Sequence, residues 1–227
     1  VTTIKDIFNN AKVFNNDISK WVTSSIVNME GTFTSALLFN GDLSKWDTTS
    51  VTNMKGYFYN AVVFNGDISK FNTEKVTTMQ QMFRLAKVFN GDLSKWVTSS
   101  VVNMEGMFNC YVEKQTTSAF NSDISKWNTK NVIVMNNLFW GATVFNSDIS
   151  NWETSRVNNM KQTFRQTTVF NSDISKWKTE SVTNMQQMFY IAPVFNKDIS
   201  KWKTESVTTM YFMFYRNYKF NGDLSKW

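Results

Sequence analysis

An aspartate recurs at the same position of every repeat in this sequence, and carboxylates at regular spacing are the groups most able to bind a cation or act as acids and bases. The carboxylates are Asp17, Asp42, Asp67, Asp92, Asp123, Asp148, Asp173, Asp198 and Asp223. Ca²⁺ requires about six to eight convergent oxygen ligands, whereas Asp after Asn-Gly or Asn-Ser commonly holds a turn by accepting backbone N–H bonds. We therefore expect turn-forming carboxylates with no metal and no cofactor, and a cation-binding ladder is a minor alternative.

Enzymatic chemistry has little support in the residue inventory. The chain has no histidine, the most frequent general base and metal ligand, and it has no Gly-rich phosphate loop. The carboxylates are also copied equally in every repeat, whereas an active site is a unique constellation. Polysaccharide hydrolysis by a pair of carboxylates about 5 to 10 Å apart is the only chemistry left open, and we predict a protein that is not an enzyme.

A repeated phrase dominates the sequence. Phe-Asn-x-Asp-(Ile/Leu)-Ser-x-Trp begins at Phe14, Phe39, Phe64, Phe89, Phe120, Phe145, Phe170, Phe195 and Phe220. Seven of the eight spacings are 25 residues and the remaining one is 31, a periodicity typical of solenoids whose units contact only their neighbours. We expect one domain over residues 1–227 that starts with a partial repeat, 1–13, and is a fragment of a longer array.

Each repeat combines two hydrophobic patterns. Val51, Met54, Phe58 and Ala61 are spaced three, four and three residues apart, which predicts one face of a helix of about two turns. The first half of the repeat contains Asn-Gly or Asn-Ser turn chemistry and then a run from Asp to Trp, which predicts a brief strand. We therefore predict an α/β solenoid of leucine-rich-repeat type with about nine coils and six apolar core columns, and the alternative is a pure β-solenoid.

These residues resemble a known family. The pattern Phe-Asn-x-Asp-Ile-Ser-x-Trp-x-Thr-x-x-Val-Thr-x-Met-x-x-Met-Phe is similar to the 25-residue repeat of mycoplasma surface lipoproteins and of BspA-like surface proteins. The resemblance covers essentially the whole chain, and it implies a leucine-rich-repeat-like fold, surface exposure, and adhesion or host interaction. It supplies no catalytic residues. The chain departs from the pattern at Phe71, which replaces Trp, and in the longer fourth unit.

Composition narrows the possible partners and compartments. The formal charge is +6, and the basic residues are not clustered as they are in nucleic-acid-binding proteins. No stretch approaches the roughly 18 apolar residues of a membrane span. A single cysteine, Cys110, excludes an intrachain disulfide. We expect no nucleic acid partner, no membrane span in this segment, and a location that is extracellular or on a cell or virion surface.

The candidate binding residues lie where the repeats differ. The position after the second phenylalanine of each unit varies, and Tyr, Trp and Arg, which are enriched in binding hot spots, recur there. The six-residue excess falls in 109–119, and insertions in repeat proteins often emerge on the binding face. The predicted partner-binding residues are Tyr59, Arg84, Trp140, Arg165, Tyr190 and Tyr215 in the variable column, and Tyr111 and Lys114 in the insertion. Tyr and Trp that lie sideways and cover the edges of the core are an equally good interpretation.

Together these patterns predict a non-catalytic surface protein that mediates adhesion by binding a protein or a glycan. A structural spacer or coat component of a cell envelope or virion, in contact end to end with further repeats or subunits, is the alternative. A row of threonines, one per repeat at positions such as Thr48 and Thr73, leaves ice binding as a minor alternative.

Overall fold

The computed structural model describes residues 1–112 and 117–227 as a stack of coils in which each residue lies beside its equivalent in the next repeat. We number the coils from the phenylalanine that opens each repeat. Coils one to eight span 14–38, 39–63, 64–88, 89–119, 120–144, 145–169, 170–194 and 195–219, with partial coils at 1–13 and 220–227.

The described residues contain no helix and no strand of regular length. Their only β-structure is a row of isolated parallel bridges, one residue per coil. The bridged residues are Thr3, Asn28, Asn53, Thr78, Asn103, Val134, Asn159, Asn184 and Thr209. The predicted α/β solenoid with helical segments is therefore wrong, and so is the alternative of a pure β-solenoid built from strands. What the structure contains is a tandem-repeat domain in which turns alternate with single bridges. No helix that could span a membrane occurs among the described residues.

The predicted helix is replaced by successive tight turns. Between 54 and 61, alternate backbone amides donate to the next coil: Met54 to Thr78 (3.2 Å), Gly56 to Gln80 (2.9 Å), Phe58 to Met82 (2.8 Å) and Asn60 to Arg84 (2.7 Å). The amides between them close turns within the coil: Tyr57 to Met54 (3.2 Å), Tyr59 to Gly56 (3.0 Å) and Ala61 to Phe58 (3.1 Å). Gly56 and Asn60 have φ values of 59° and 56°, which a right-handed helix does not allow.

Close stacking of the coils explains why turns form here. A helix satisfies its own amides and is about 10 Å wide with its side chains, so it would hold neighbouring coils apart. In this protein the coils approach within hydrogen-bond distance, and equivalent rings such as Phe58 and Phe83 stack with centroids 5.6 Å apart. The spacing of three, four and three residues therefore places apolar side chains inward from consecutive turns.

The run from Asp to Trp is also a turn, so the strand predicted there is wrong. Asp42 Oδ1 accepts the N–H of Ser44 at 2.8 Å, and the N–H of Trp46 donates to the carbonyl oxygen of Leu43 at 2.9 Å. The Trp46 indole Nε1 then donates to the carbonyl oxygen of Ile18 in the preceding coil at 3.1 Å. These bonds fix each coil to its neighbour.

The core follows the predicted apolar columns. In coil two the six column residues are almost fully buried: Phe39, Leu43, Trp46, Val51, Met54 and Phe58. Rings also pack where one coil leads into the next, since the centroids of Phe58 and Phe64 lie 3.8 Å apart at the boundary of coils two and three. The interior is one continuous cluster from the first coil to the last. This rigid body positions the polar faces.

Candidate ligand-binding face

The aspartate row holds turns. In every repeat the carboxylate Oδ1 accepts the N–H of the serine two residues later, at 2.8 to 2.9 Å. The hydrogen bonds from Ser44 lower the pKa of the Asp42 carboxyl, and seven other carboxyls of the row shift in the same direction for the same reason. Among the described residues no group of His, Cys, Asp and Glu is arranged to hold a metal ion.

The threonine row is buried and bonded to the backbone. Thr154 Oγ1 donates to the carbonyl oxygen of Lys178 at 2.8 Å and accepts the N–H of the same residue at 2.8 Å. Seven threonines of the column occupy this environment: Thr23, Thr48, Thr73, Thr98, Thr129, Thr154 and Thr179. Buried hydroxyls form no exposed plane that could order water, so this row offers no ice-binding surface.

The asparagine that follows the first phenylalanine of each repeat links the coils. Asn40 Oδ1, for example, accepts the N–H of Asn65 in the next coil at 2.9 Å. The same bond occurs eight times along the stack. We call this row the asparagine ladder. Its amide oxygens are occupied by backbone donors and have a structural role.

Five of the predicted binding residues form one stacked row on the face that carries the bridges. The ring of Trp140 lies 4.5 Å from that of Tyr111, and the Arg165 guanidinium lies 4.6 Å from the ring centroid of Trp140. Arg165 also lies 4.5 Å from the centroid of Tyr190, which stacks on Tyr215 at 4.9 Å. We call these five side chains the aromatic row.

Two further predicted residues form a separate pair. The Arg84 guanidinium lies 5.4 Å from the ring centroid of Tyr59. Asn109 of coil four, which is buried, occupies the position between this pair and the aromatic row. Lys114 lies outside the described residues. The prediction of one continuous stripe thus corresponds to two clusters separated at Asn109.

A polar groove of about 530 Å³ lies between the two clusters. Coil four contributes the short residues Gly106 and Asn109, whereas the long side chains of Arg84 and Trp140 stand in coils three and five. Gly106 has a φ of 58°, a backbone conformation that favours glycine, and the absence of a side chain there helps to open the groove. We call this site the coil-four groove.

The coil-four groove contains polar groups that the protein leaves unbonded. Glu105 accepts hydrogen bonds from Gln80 Nε2 at 2.8 Å and from Asn136 Nδ2 at 3.0 Å. Asn137 Oδ1 and Arg84 Nε are buried without a hydrogen-bond partner. A buried polar atom without a partner costs about 1–3 kcal/mol, so such atoms are expected where a ligand supplies the missing bond.

The sequence reasoning missed the amide and carboxylate residues of the groove. Their signal was available, because the second and third positions after each bridge residue vary between repeats as strongly as the aromatic column does. Examples are Glu105, Asn136 and Lys161 at one position and Gln81 and Asn137 at the other. The reasoning also missed an exposed aliphatic column immediately before each repeat phenylalanine, which includes Leu38, Val63, Val88, Val144 and Val169.

The insertion between coils four and five brings Tyr111 onto the aromatic row and buries its cysteine. Cys110 is 2% exposed, and its backbone N–H donates to the carbonyl oxygen of Trp140 at 2.8 Å. Burial raises the pKa of its thiol. A buried thiol with a raised pKa is a poor nucleophile, so Cys110 serves as a small apolar side chain.

Comparison with protein families matches the chain twice. The family described as "Mycoplasma protein of unknown function, DUF285" matches residues 2–117 and again residues 111–227, which together cover nearly the whole sequence. Comparison with curated proteins and with solved structures gives no match. The expectation of a repeat family is therefore confirmed at the level of this description, and the chain belongs to the Mycoplasma DUF285 family.

Proposed function

We propose that this protein is a non-catalytic binding protein that uses the face with the aromatic row and the coil-four groove to hold a ligand on another surface. The observation that carries the proposal is the pair of buried, unbonded polar atoms in the groove, Asn137 Oδ1 and Arg84 Nε. The resemblance to BspA-like and mycoplasma surface repeats favours adhesion and a location outside the cell or on a cell or virion surface.

The contrast with the rest of the stack supports this choice of face. The asparagine ladder, the threonine row and the aspartate row all bond to backbone groups in every coil where they occur. The groove residues differ from coil to coil and leave donors and acceptors open. A role in stacking alone requires no such variation.

The aromatic row acts in this proposal as a rigid wall. Trp140 stacks on Tyr111 and contacts Arg165, which also lies 5.9 Å from the Tyr111 ring, and its Nε1 donates to Gln166 Oε1 at 2.8 Å. These contacts hold Trp140 in place, and a ligand would meet the rest of its ring and the neighbouring polar groups.

The groove composition supports binding without catalysis. Among the described residues, Glu105 is the one carboxylate that lines it, whereas glycoside hydrolysis uses two carboxylates on opposite sides of the scissile bond. We therefore propose that the ligand leaves this site unchanged.

The test is binding of the purified chain to a glycan array and to host-cell surface proteins. The variant Trp140→Ala with Tyr190→Ala removes both rings that contact Arg165 at the centre of the aromatic row, and Val144→Ser on the exposed aliphatic column is the matched control. We expect the first variant to lose at least about tenfold in affinity, as hot-spot residues do, and the control to bind normally. Equal affinity of both variants, each with an unchanged melting temperature, would remove this face from consideration.

The competing proposal is a structural spacer or coat component. It predicts no binding on either panel, together with concentration-dependent end-to-end association in light scattering. A ligand-binding chain that stays monomeric across the same concentrations would count against it.

A further inference from the structure

We propose that the coil-four groove binds a short acidic glycan, with Arg84 pairing with the anionic group of the sugar and Glu105 and Asn137 bonding to its hydroxyls. This inference rests on the proposed function and specifies its ligand. Three observations carry it: unpaired cations, hydroxyl-matched polar groups, and the size of the site.

The cations of the groove are not paired with any described carboxylate. The Arg84 guanidinium lies 5.4 Å from the ring centroid of Tyr59, and within residues 1–112 and 117–227 no carboxylate lies within 4.0 Å of Arg84 or Lys161. The same face matches its charges elsewhere, because Glu30 lies 3.3 Å from Lys5 and 3.6 Å from Lys55. Among the described residues of the groove, two cations, Arg84 and Lys161, meet the single carboxylate of Glu105, and these residues carry an excess of positive charge.

The remaining groups suit hydroxyls. A carboxylate offers about four lone-pair sites, and Glu105 uses its two oxygens to accept one bond each from Gln80 and Asn136, which also fix its orientation. Asn137 adds an unbonded acceptor, and the Gln81 side-chain amide has no bond to any described residue. A sugar hydroxyl both donates and accepts, so a mixed set of amides and one carboxylate can bond to several of them at once.

The dimensions and lining of the groove disfavour other ligands. A volume of about 530 Å³ lies in the range of small-ligand sites, about 300–1,000 Å³, and suits a few sugar units. The lining is mostly amide and charged, which offers little to an apolar helix. An acidic peptide could also pair with Arg84, but it carries no neighbouring hydroxyls to engage Glu105 and Asn137.

The experiment measures calorimetric binding of the full chain to three acidic probes: a hyaluronan tetrasaccharide, a chondroitin sulfate tetrasaccharide and sialyllactose. The hyaluronan tetrasaccharide with its carboxylates reduced to alcohols is the neutral control, and tetraglutamate represents an acidic peptide. Arg84→Gln is the test variant, and Lys201→Gln, an exposed lysine in coil eight, is the charge-matched control.

We expect at least one acidic glycan to bind, about tenfold or more weaker binding for R84Q, and an unchanged affinity for K201Q, since bonds to a charged group are among the strongest in such sites. Three results would each overturn the inference: no acidic glycan binds, the neutral control binds equally well, or tetraglutamate binds better. If the probes fail while the Trp140 and Tyr190 variant still loses binding to cell-surface proteins, the glycan inference falls and the proposed function stands.

Discussion

Two amide-rich regions of this protein use the same chemical group in opposite ways. In the asparagine ladder, Asn121 Oδ1 accepts the N–H of Asn146 at 2.8 Å and the Ser147 hydroxyl at 3.0 Å. In the coil-four groove, Asn137 Oδ1 is buried and accepts nothing. The first region is repeated in every coil and the second changes between coils. Columns that repeat hold neighbouring coils together, and columns that vary leave polar groups such as Asn137 Oδ1 without a partner.

The largest expected effect concerns a break in the tryptophan column. Phe71 stands where the other repeats have Trp, and the fully buried Tyr57 lies beside it, with ring centroids 6.4 Å apart. Tyr57 occupies a position held by Met82 and Met107 in the next coils. The larger Tyr therefore fills the space that the smaller Phe leaves.

Phe71→Trp alone should lower the free energy of unfolding by about 1–3 kcal/mol, because the core around Tyr57 becomes overpacked. Adding Tyr57→Met should restore most of this loss, since the indole could then donate to the carbonyl oxygen of Leu43 in the preceding coil, as Trp46 does to Ile18 and Trp96 to Ile68. Urea denaturation of the two single variants and the double variant measures the coupling. Additive effects would mean that the two positions are independent, and the comparison of repeated with variable columns would weaken.

The next effect tests the buried threonine row. Thr154→Val keeps the shape of the side chain but removes both hydrogen bonds to the backbone of Lys178, and it should cost about 1–2 kcal/mol. Thr183→Val is the matched control, because Thr183 is exposed and donates a single bond to the carbonyl oxygen of Asn158 at 3.1 Å. Denaturant unfolding of both variants gives the difference. An equal loss in the two would show that burial of the row adds nothing.

The repeat and the core columns could be predicted from the sequence, because apolar periodicity records which side chains are buried. The backbone between them could not. Val51, Met54, Phe58 and Ala61 have a spacing that a helix and a series of turns share. The choice depends on hydrogen bonds to a coil 24 residues away, such as Phe58 to Met82, and on the positive φ of Gly56 and Asn60. The helix propensities of neighbouring residues reveal neither the hydrogen bonds between coils nor these φ values.

The candidate groove was not predicted, for the same reason. Variation in one column indicated Trp140 and Arg165, which the structure places side by side, but the groove depends on which short residue lies beside which long one in adjacent coils. Gly106 and Asn109 become informative only when they are compared with Arg84 and Trp140 across the stack. A comparison of side-chain sizes at equivalent positions of successive repeats would have located the groove.

A smaller effect on stability distinguishes the asparagine ladder from the coil-four groove. Asn121→Ala should cost about 1 kcal/mol of stability, because the N–H of Asn146 and the hydroxyl of Ser147 lose their acceptor. Asn137→Ala should leave stability unchanged or slightly higher, because it removes a buried acceptor that has no partner, and it should weaken ligand binding instead. Thermal unfolding and calorimetry of both variants test this. A stability loss for N137A as large as that for N121A would end the distinction between the two regions.

The smallest effect per residue is the response of the aspartate row to acid. The hydrogen bonds from serine lower the pKa of carboxyls such as Asp42 and Asp92 in the folded protein. A carboxyl with a depressed folded pKa contributes stability above its unfolded value, about 3.9, and loses that stability as the pH falls through the folded value. The melting temperature should therefore decrease when the pH is lowered below about 4.

Salt distinguishes the two causes of the pKa shift. Because hydrogen bonds from serine are the main cause and lysine charges a minor one, this decrease should persist at about 1 M NaCl, where charge interactions are screened. Asp42→Asn should keep an oxygen that accepts the turn hydrogen bond, and it should make the melting temperature slightly less dependent on pH. A melting temperature that stays flat from pH 5 to pH 2 would show that these turns gain nothing from the carboxylate charge, and that the row, like the asparagine ladder, works as a neutral acceptor.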